Sequence, residues 1–166
     1  ALYFQCLPTL GVNRYITKGW RMLPCTFQGL GLPNMALEKL SESLMWLQRH
    51  WDVGEGMGLI VREAYERLQI ETGLSGNVFL RDYKTYECLA THTWYKVFWQ
   101  YLSKFGVRVE IGDGYDVPMV RERDQVFMDV ALPLVPHADW PYLNRVRHHK
   151  GIFLMSQLTH ADGITV

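Results

Sequence analysis

Hydrophobic and polar positions fall into helical registers over most of the chain. Leu37, Leu40, Leu44, Leu47 and Trp51 recur at steps of three and four, while Glu38, Lys39, Glu42 and Arg49 fill the other positions. That spacing puts the five apolar side chains on one face and predicts a core helix over residues 34–51, with Asn34 as its cap behind Pro33. Residues 52–56 (DVGEG) break the register. Met57, Ile60, Val61, Ala64, Tyr65 and Leu68 then make a second stripe, with Arg62, Glu63, Glu66 and Arg67 outward and Gly73 placed to stop the helix. Residues 74–81 read as a loop, with Ser75-Gly76-Asn77 as its turn chemistry. A short helix is expected over 83–89. Thr91 or Thr93 can cap a stronger one that carries Trp94, Val97, Phe98, Tyr101, Leu102 and Phe105 and ends at Gly106.

The period then changes. Val107-Arg108-Val109-Glu110-Ile111 alternates apolar and charged positions, as a half-buried strand does. Gly112-Asp113-Gly114 supplies a turn, and residues 115–120 would return as a hairpin partner that Pro118 confines to an edge. Asp124 is placed to cap a helix over 125–132 that Pro133 and Pro136 close. Residues 137–150 read as the last helix, with Trp140, Leu143 and Val146 inward. Arg145, Arg147, His148, His149 and Lys150 crowd its end, where the dipole favours cations by around 0.3–1 kcal/mol each when exposed. Short strands are expected at 152–155 and 164–166. The expected fold is therefore mainly α, a bundle of four to five helices with a small β-hairpin and short C-terminal strands. Residues 1–33 read as a basic connecting arm, 34–106 as the helical bundle, and 107–166 as a small α+β portion packed on it.

The arm ends in a joint, residues 23–34, where Gly29 and Gly31 stand between Pro24 and Pro33. Glycine allows close approach and proline fixes φ, so the joint is expected to be a tight, buried connector feeding the first long helix.

Composition narrows the function classes. The chain has 166 residues, enough for one domain with a real core, and its 48% apolar and 20% charged content excludes wholesale disorder. A net charge of +0 gives no global basic field, so any nucleic-acid binding must rest on local patches. One such patch is the arm, in which Arg14, Lys18 and Arg21 meet no Asp or Glu and sit among Tyr15 and Trp20. Basic residues interleaved with aromatics suit a phosphate backbone and stacked bases. A solvated loop anchored by its aromatics fits the same residues. The 6 Trp and 9 Tyr exceed what a small core needs and point to an interface.

Cys6, Cys25 and Cys88 are odd in number and widely spaced, which favours a reducing compartment over a disulfide framework. No apolar run approaches about 18 residues, so no membrane span is expected, nor a signal peptide. The start at Ala1 reads as a piece cut from something longer, with Leu2-Tyr3-Phe4-Gln5 taken as native.

Known catalytic signatures are missing from the sequence. No Asp-Asp pair follows an apolar strand, and there is no Gly-rich phosphate loop and no Gly-x-Ser-x-Gly elbow. His148 and His149 are neighbours, which diverge by about 100° on a helix and do not readily share one ion. No catalytic residue, metal or cofactor is expected.

Three blocks carry a resemblance. Leu7-Pro8-x-Leu10-Gly11-Val12-Asn13-Arg14, Trp20-Arg21-x-Leu23-Pro24 and Phe27-Gln28-Gly29-Leu30-Gly31-Leu32-Pro33-Asn34 resemble the segment just after the polymerase palm in reverse transcriptases of LINE-like, non-LTR retrotransposons. The likeness continues through Leu44 to Trp51, Glu71-Thr72-Gly73-Leu74-Ser75-Gly76-Asn77, Ala90-Thr91-x-Thr93-Trp94 and residues 121–129 (RERDQVFMD). Leu143-Asn144-Arg145-Val146-Arg147 and Ala161-Asp162-Gly163 complete it, so that it covers nearly the whole chain. It implies the C-terminal thumb and post-palm portion of an RNA-directed DNA polymerase, without fingers or palm. In such enzymes the thumb is a helical bundle that grips the template–primer duplex. By that analogy Arg14, Lys18, Arg21, Arg145, Arg147 and Lys150 contact backbone phosphates. The palm's paired aspartates are absent from the sequence, as is the zinc knuckle of some relatives, so the resemblance implies a chain inactive alone and without a cofactor. The implied partners are an RNA/DNA template–primer and the missing palm and fingers, inside the cell in nucleus or cytoplasm. The rival reading is a stand-alone helical protein-interaction module without nucleic-acid binding, which the neutral charge and surplus aromatics favour. A metal-dependent hydrolase built on the histidines ranks last.

Overall fold

Helix follows helix along residues 11, 15, 17–111 and 121–158, the residues described in the computed structural model. They divide between two compact units, Ala1–Ser41 and Glu42–Val166. No described helix is long and apolar enough to cross a membrane.

In the first unit a short helix, α1 (Lys18–Met22), leads into a 3-10 turn at Cys25–Phe27. The chain then folds back on α1: the Leu30 amide donates to the Trp20 carbonyl at 3.1 Å and the Leu32 amide to that of Arg21 at 2.8 Å. Gly29 is required there, because a Cβ would stand 2.0 Å from the Leu23 carbonyl oxygen. The joint is tight, as its glycines imply, but it is not buried. Phe27 is 68% exposed and Leu23 and Leu30 also face outward, because main chain packs on main chain and leaves the side chains outside. Helix α2 (Met35–Trp51) begins in this unit, with the Asn34 side chain accepting from the Ala36 amide at 3.2 Å. Of its expected stripe, Leu40 and Leu47 are buried, whereas Leu37 is exposed.

In the second unit, α3 (Met57–Thr72) ends at Gly73 in the left-handed conformation. Its inward face is Gly58, Val61, Tyr65, Leu68, Gln69 and Thr72. The expected stripe is rotated: Met57, Ile60 and Ala64 lie outside, Ile60 being 60% exposed. Two polar residues take the inward places because each is satisfied there. Gln69 Nε2 donates to the Gly76 carbonyl at 2.8 Å, and the Thr72 hydroxyl to that of Leu68 at 2.9 Å. The expected loop at 74–81 passes through the core, with Leu74, Val78 and Phe79 buried and a 3-10 turn at Val78–Leu80 capped by Asn77.

Asp82 caps α4 (Tyr83–Tyr86), accepting the Thr85 amide at 2.9 Å, and a 3-10 turn at Glu87–Leu89 follows. Thr93 caps α5 (Trp94–Phe105), which Gly106 ends. Tyr95, Phe98, Trp99 and Leu102 form its buried face. Edge-to-face rings knit this core, Phe79 on Phe98 and Tyr83 on Trp99, each with centroids 5.3 Å apart. Two of its buried aromatic donors reach backbone acceptors: Tyr95 Oη the Val61 carbonyl at 2.7 Å, and Trp99 Nε1 that of Arg81 at 3.1 Å.

No β-strand occurs among the described residues. Within 107–111 the burial alternates as expected, Val107, Val109 and Ile111 being half-buried. No ladder joins this segment to a described residue, and the Asn77 side chain donates to the Val109 carbonyl at 2.8 Å. The expected return of the hairpin at 115–120 and the strand at 164–166 lie outside the described residues. The segment 152–155 contributes only an isolated antiparallel bridge, Leu154 with Val126. Asp124 does not cap the next helix. Its Oδ1 accepts from the Gln125 and Ser156 amides and so ties the two sides of that bridge together. Helix α6 (Phe127–Ala131) runs into a 3-10 turn at Leu132–Leu134, and another at His137–Asp139 opens α7 (Trp140–Lys150). Leu74, Leu89, Met128, Leu132 and Trp140 form the apolar cluster beneath these elements.

Candidate nucleic-acid interface

Helix α7 carries half of the residues that the resemblance assigns to phosphates, and it separates them. Trp140, Asn144 and Arg147 recur at steps of four and three and are its buried positions. Val146, expected inside, is exposed. Arg147 is only 3% exposed. Its Nη2 donates to the Ile70 and Glu71 carbonyls at 2.8 and 2.9 Å, Nη1 to that of Ile152 at 3.2 Å, and Nε to Asn144 Oδ1 at 3.0 Å. The face of the guanidinium lies 5.7 Å from the centre of the Phe153 ring.

Among the described residues no carboxylate pairs with this buried cation. Ile70 and Glu71 belong to the last turn of α3, whose carbonyls have no partner within their own helix and form the negative end of its dipole. Arg147 therefore closes the C-terminus of α3. Burial pulls its pKa below the usual arginine value, though a guanidinium is in effect always protonated in proteins. Asn144 completes the clamp, with Nδ2 donating to the Glu71 and Leu89 carbonyls at 3.0 and 3.1 Å. The Arg147 fork thus faces inward, away from any phosphate.

Arg145, His148, His149 and Lys150 remain exposed on the same helix. Gly151 ends it in the left-handed conformation, its amide donating to the Arg147 and His148 carbonyls. Because the Arg147–Asn144 clamp fixes α7 on α3, this exposed group is presented by a rigid element. Of the arm residues, Arg21 is half-buried on α1, while Arg14 and the side chain of Lys18 lie outside the described residues.

Beside the exposed group a groove of about 730 Å³ opens between α3 and α7. Positions 63, 66, 67, 70 and 71 of α3 form one wall, and positions 141, 144, 145, 148 and 149 of α7 the other, above the 88–91 segment. The α3 wall sets glutamates in the same groove as Arg145 of α7, a juxtaposition between helices distant in sequence that no local pattern announces. Among the described residues Glu63, Glu66, Arg67 and Arg145 form no ion pair. Nor do any three His, Cys, Asp or Glu side chains among them group as a metal site would require.

No family model matches the chain, and neither does a curated protein or a solved structure.

Proposed function

We propose that this chain is the C-terminal, non-catalytic portion of a LINE-like retrotransposon reverse transcriptase and grips a template–primer duplex behind an active site carried elsewhere. The observation that carries the reading is the exposed group Arg145, His148, His149 and Lys150, held on a helix whose neighbouring arginine is spent on the core. Lysine and arginine side chains neutralise backbone phosphates and position a duplex without reading its sequence. In this reading Lys150 and Arg145 are the phosphate contacts on α7, Arg14, Lys18 and Arg21 are those of the arm, and Arg147 is a structural residue. The partners are an RNA/DNA template–primer and the palm and fingers of the polymerase, and the site of action is inside the cell, in nucleus or cytoplasm.

A second reading, a helical module that docks on another protein, is favoured by a different surface. Trp46 and Trp94 meet edge to face with centroids 5.2 Å apart, and both remain more than a third exposed beside Ile60. Analytical ultracentrifugation of the full chain with and without a labelled RNA–DNA hybrid separates the two. Co-sedimentation of protein and hybrid at low salt supports the first. Self-association with the hybrid left free supports the second and removes the first.

A further inference from the structure

The groove between α3 and α7 shares Arg145, His148 and His149 with the exposed group of α7, and the α3 wall opposite gives it a construction of its own. Each wall is a helix stripe with the spacing i, i+3, i+4, i+7 and i+8, the set of positions through which one helix packs against another. Ile70 stands in the α3 wall with more than a third of its surface exposed, and the buried Leu89 and Ala90 make the floor. The two walls differ in sign. Glu63 and Glu66 give the α3 wall an acidic edge that Arg67 only partly offsets, and Glu71 is already engaged by the Thr91 amide at 2.8 Å. Arg145 makes the α7 wall basic, with the imidazoles of His148 and His149 a turn further on.

We infer that this groove receives an amphipathic helix of a partner protein, with a basic flank against Glu63 and Glu66 and an acidic flank against Arg145. The occupant follows from complementarity. A phosphate backbone laid along the groove would meet the glutamates of α3. A helix charged alike on both flanks would be attracted by one wall and repelled by the other. Only a helix with an apolar stripe between flanks of opposite sign satisfies both walls and covers Ile70. The inference goes beyond the nucleic-acid reading and does not depend on it.

The test uses the full chain, isotope-labelled, and three designed helical peptides of about 18 residues with the same apolar stripe. One carries a basic and an acidic flank, one is basic on both flanks, and one is acidic on both. The mixed peptide is expected to bind at least about tenfold more tightly than either of the others, with amide shifts centred on Ile70, Ala90 and Arg145. Exchanging Glu63→Arg together with Glu66→Arg, both on the groove edge, should weaken the mixed peptide about tenfold and strengthen the acidic one, with the circular dichroism of the protein unchanged. Equal binding by the three peptides, shifts centred elsewhere, or no mixed-peptide binding at about 1 mM would overturn the inference. So would an RNA–DNA hybrid that shifts Ile70 and Ala90, since it would give the groove to nucleic acid.

Discussion

Arg147 donates to the main-chain carbonyl of Ile70 at 2.8 Å, across 77 residues of chain, with no carboxylate among the described residues paired to it. The bond joins α7 to the carbonyl end of α3 and explains why an arginine occupies a buried step of a helix that otherwise ends in exposed cations. Replacing Arg147 by Met keeps the stem but takes the donor from the Ile70 and Ile152 carbonyls and from Asn144 Oδ1, and leaves the Glu71 carbonyl only its bond from Asn144 Nδ2. At roughly 1–3 kcal/mol for a stranded buried group, and allowing for non-additivity, the loss should be about 3 kcal/mol or more in urea unfolding. Arg145→Ala, on the exposed face, should stay within about 0.5 kcal/mol of the parent.

Gly73 sits beside the same guanidinium. Its φ is +68°, and a Cβ there would stand 2.7 Å from Arg147 Cζ and from Met128 Cγ. Gly106 shares the conformation, φ +65°, with nothing within 4 Å of the same atom. Gly106→Ala should therefore cost only the left-handed backbone, about 1–2 kcal/mol. Gly73→Ala should cost a further 1–3 kcal/mol or so from overpacking, and comparison of the two unfolding midpoints isolates that part.

Tyr65 offers a pH-dependent check. Burial pushes its phenol up to about 12 from an ordinary value of 10.0, against a smaller opposing effect of the Val78 amide. A folded-state pKa raised above the unfolded one means that stability is fully present below about pH 10 and is lost as pH rises towards 12. The loss should reach about 2–3 kcal/mol, from two units at 1.36 kcal/mol each. Tyr65→Phe should remove that part of the alkaline slope. At neutral pH it should cost roughly 1–2 kcal/mol for the Val78 amide left without its acceptor.

Much of the helical frame was legible because it is written in local chemistry. Gly73 and Gly106 end helices, and Asn34 and Thr93 begin them, through contacts that span only a few residues. What the pattern misplaced was decided by distant partners. The α3 stripe rotated because Gln69 and Thr72 found backbone acceptors, so two polar side chains took inward places that an apolar count gave to Ile60 and Ala64. The alternation of 107–111 corresponds to half-burial without a strand among the described residues, and the Val109 carbonyl is met by the Asn77 side chain. Arg147 was grouped with its cationic neighbours although it continues the inward spacing of Trp140 and Asn144. That spacing is present in the sequence, but an apolar count over α7 favours Leu143 and Val146 instead.

The central claim, that the exposed cations of α7 hold a duplex by its phosphates, is tested most directly by the salt dependence of binding. Fluorescence anisotropy of a labelled RNA–DNA hybrid against the full chain gives the slope of log affinity against log salt. The account predicts a steep negative slope that shrinks by about one unit for each phosphate contact removed, hence by about two in the Arg145→Ala, Lys150→Ala double variant. Binding indifferent to salt, an unchanged slope in that variant, or no binding at about 50 mM salt would contradict it.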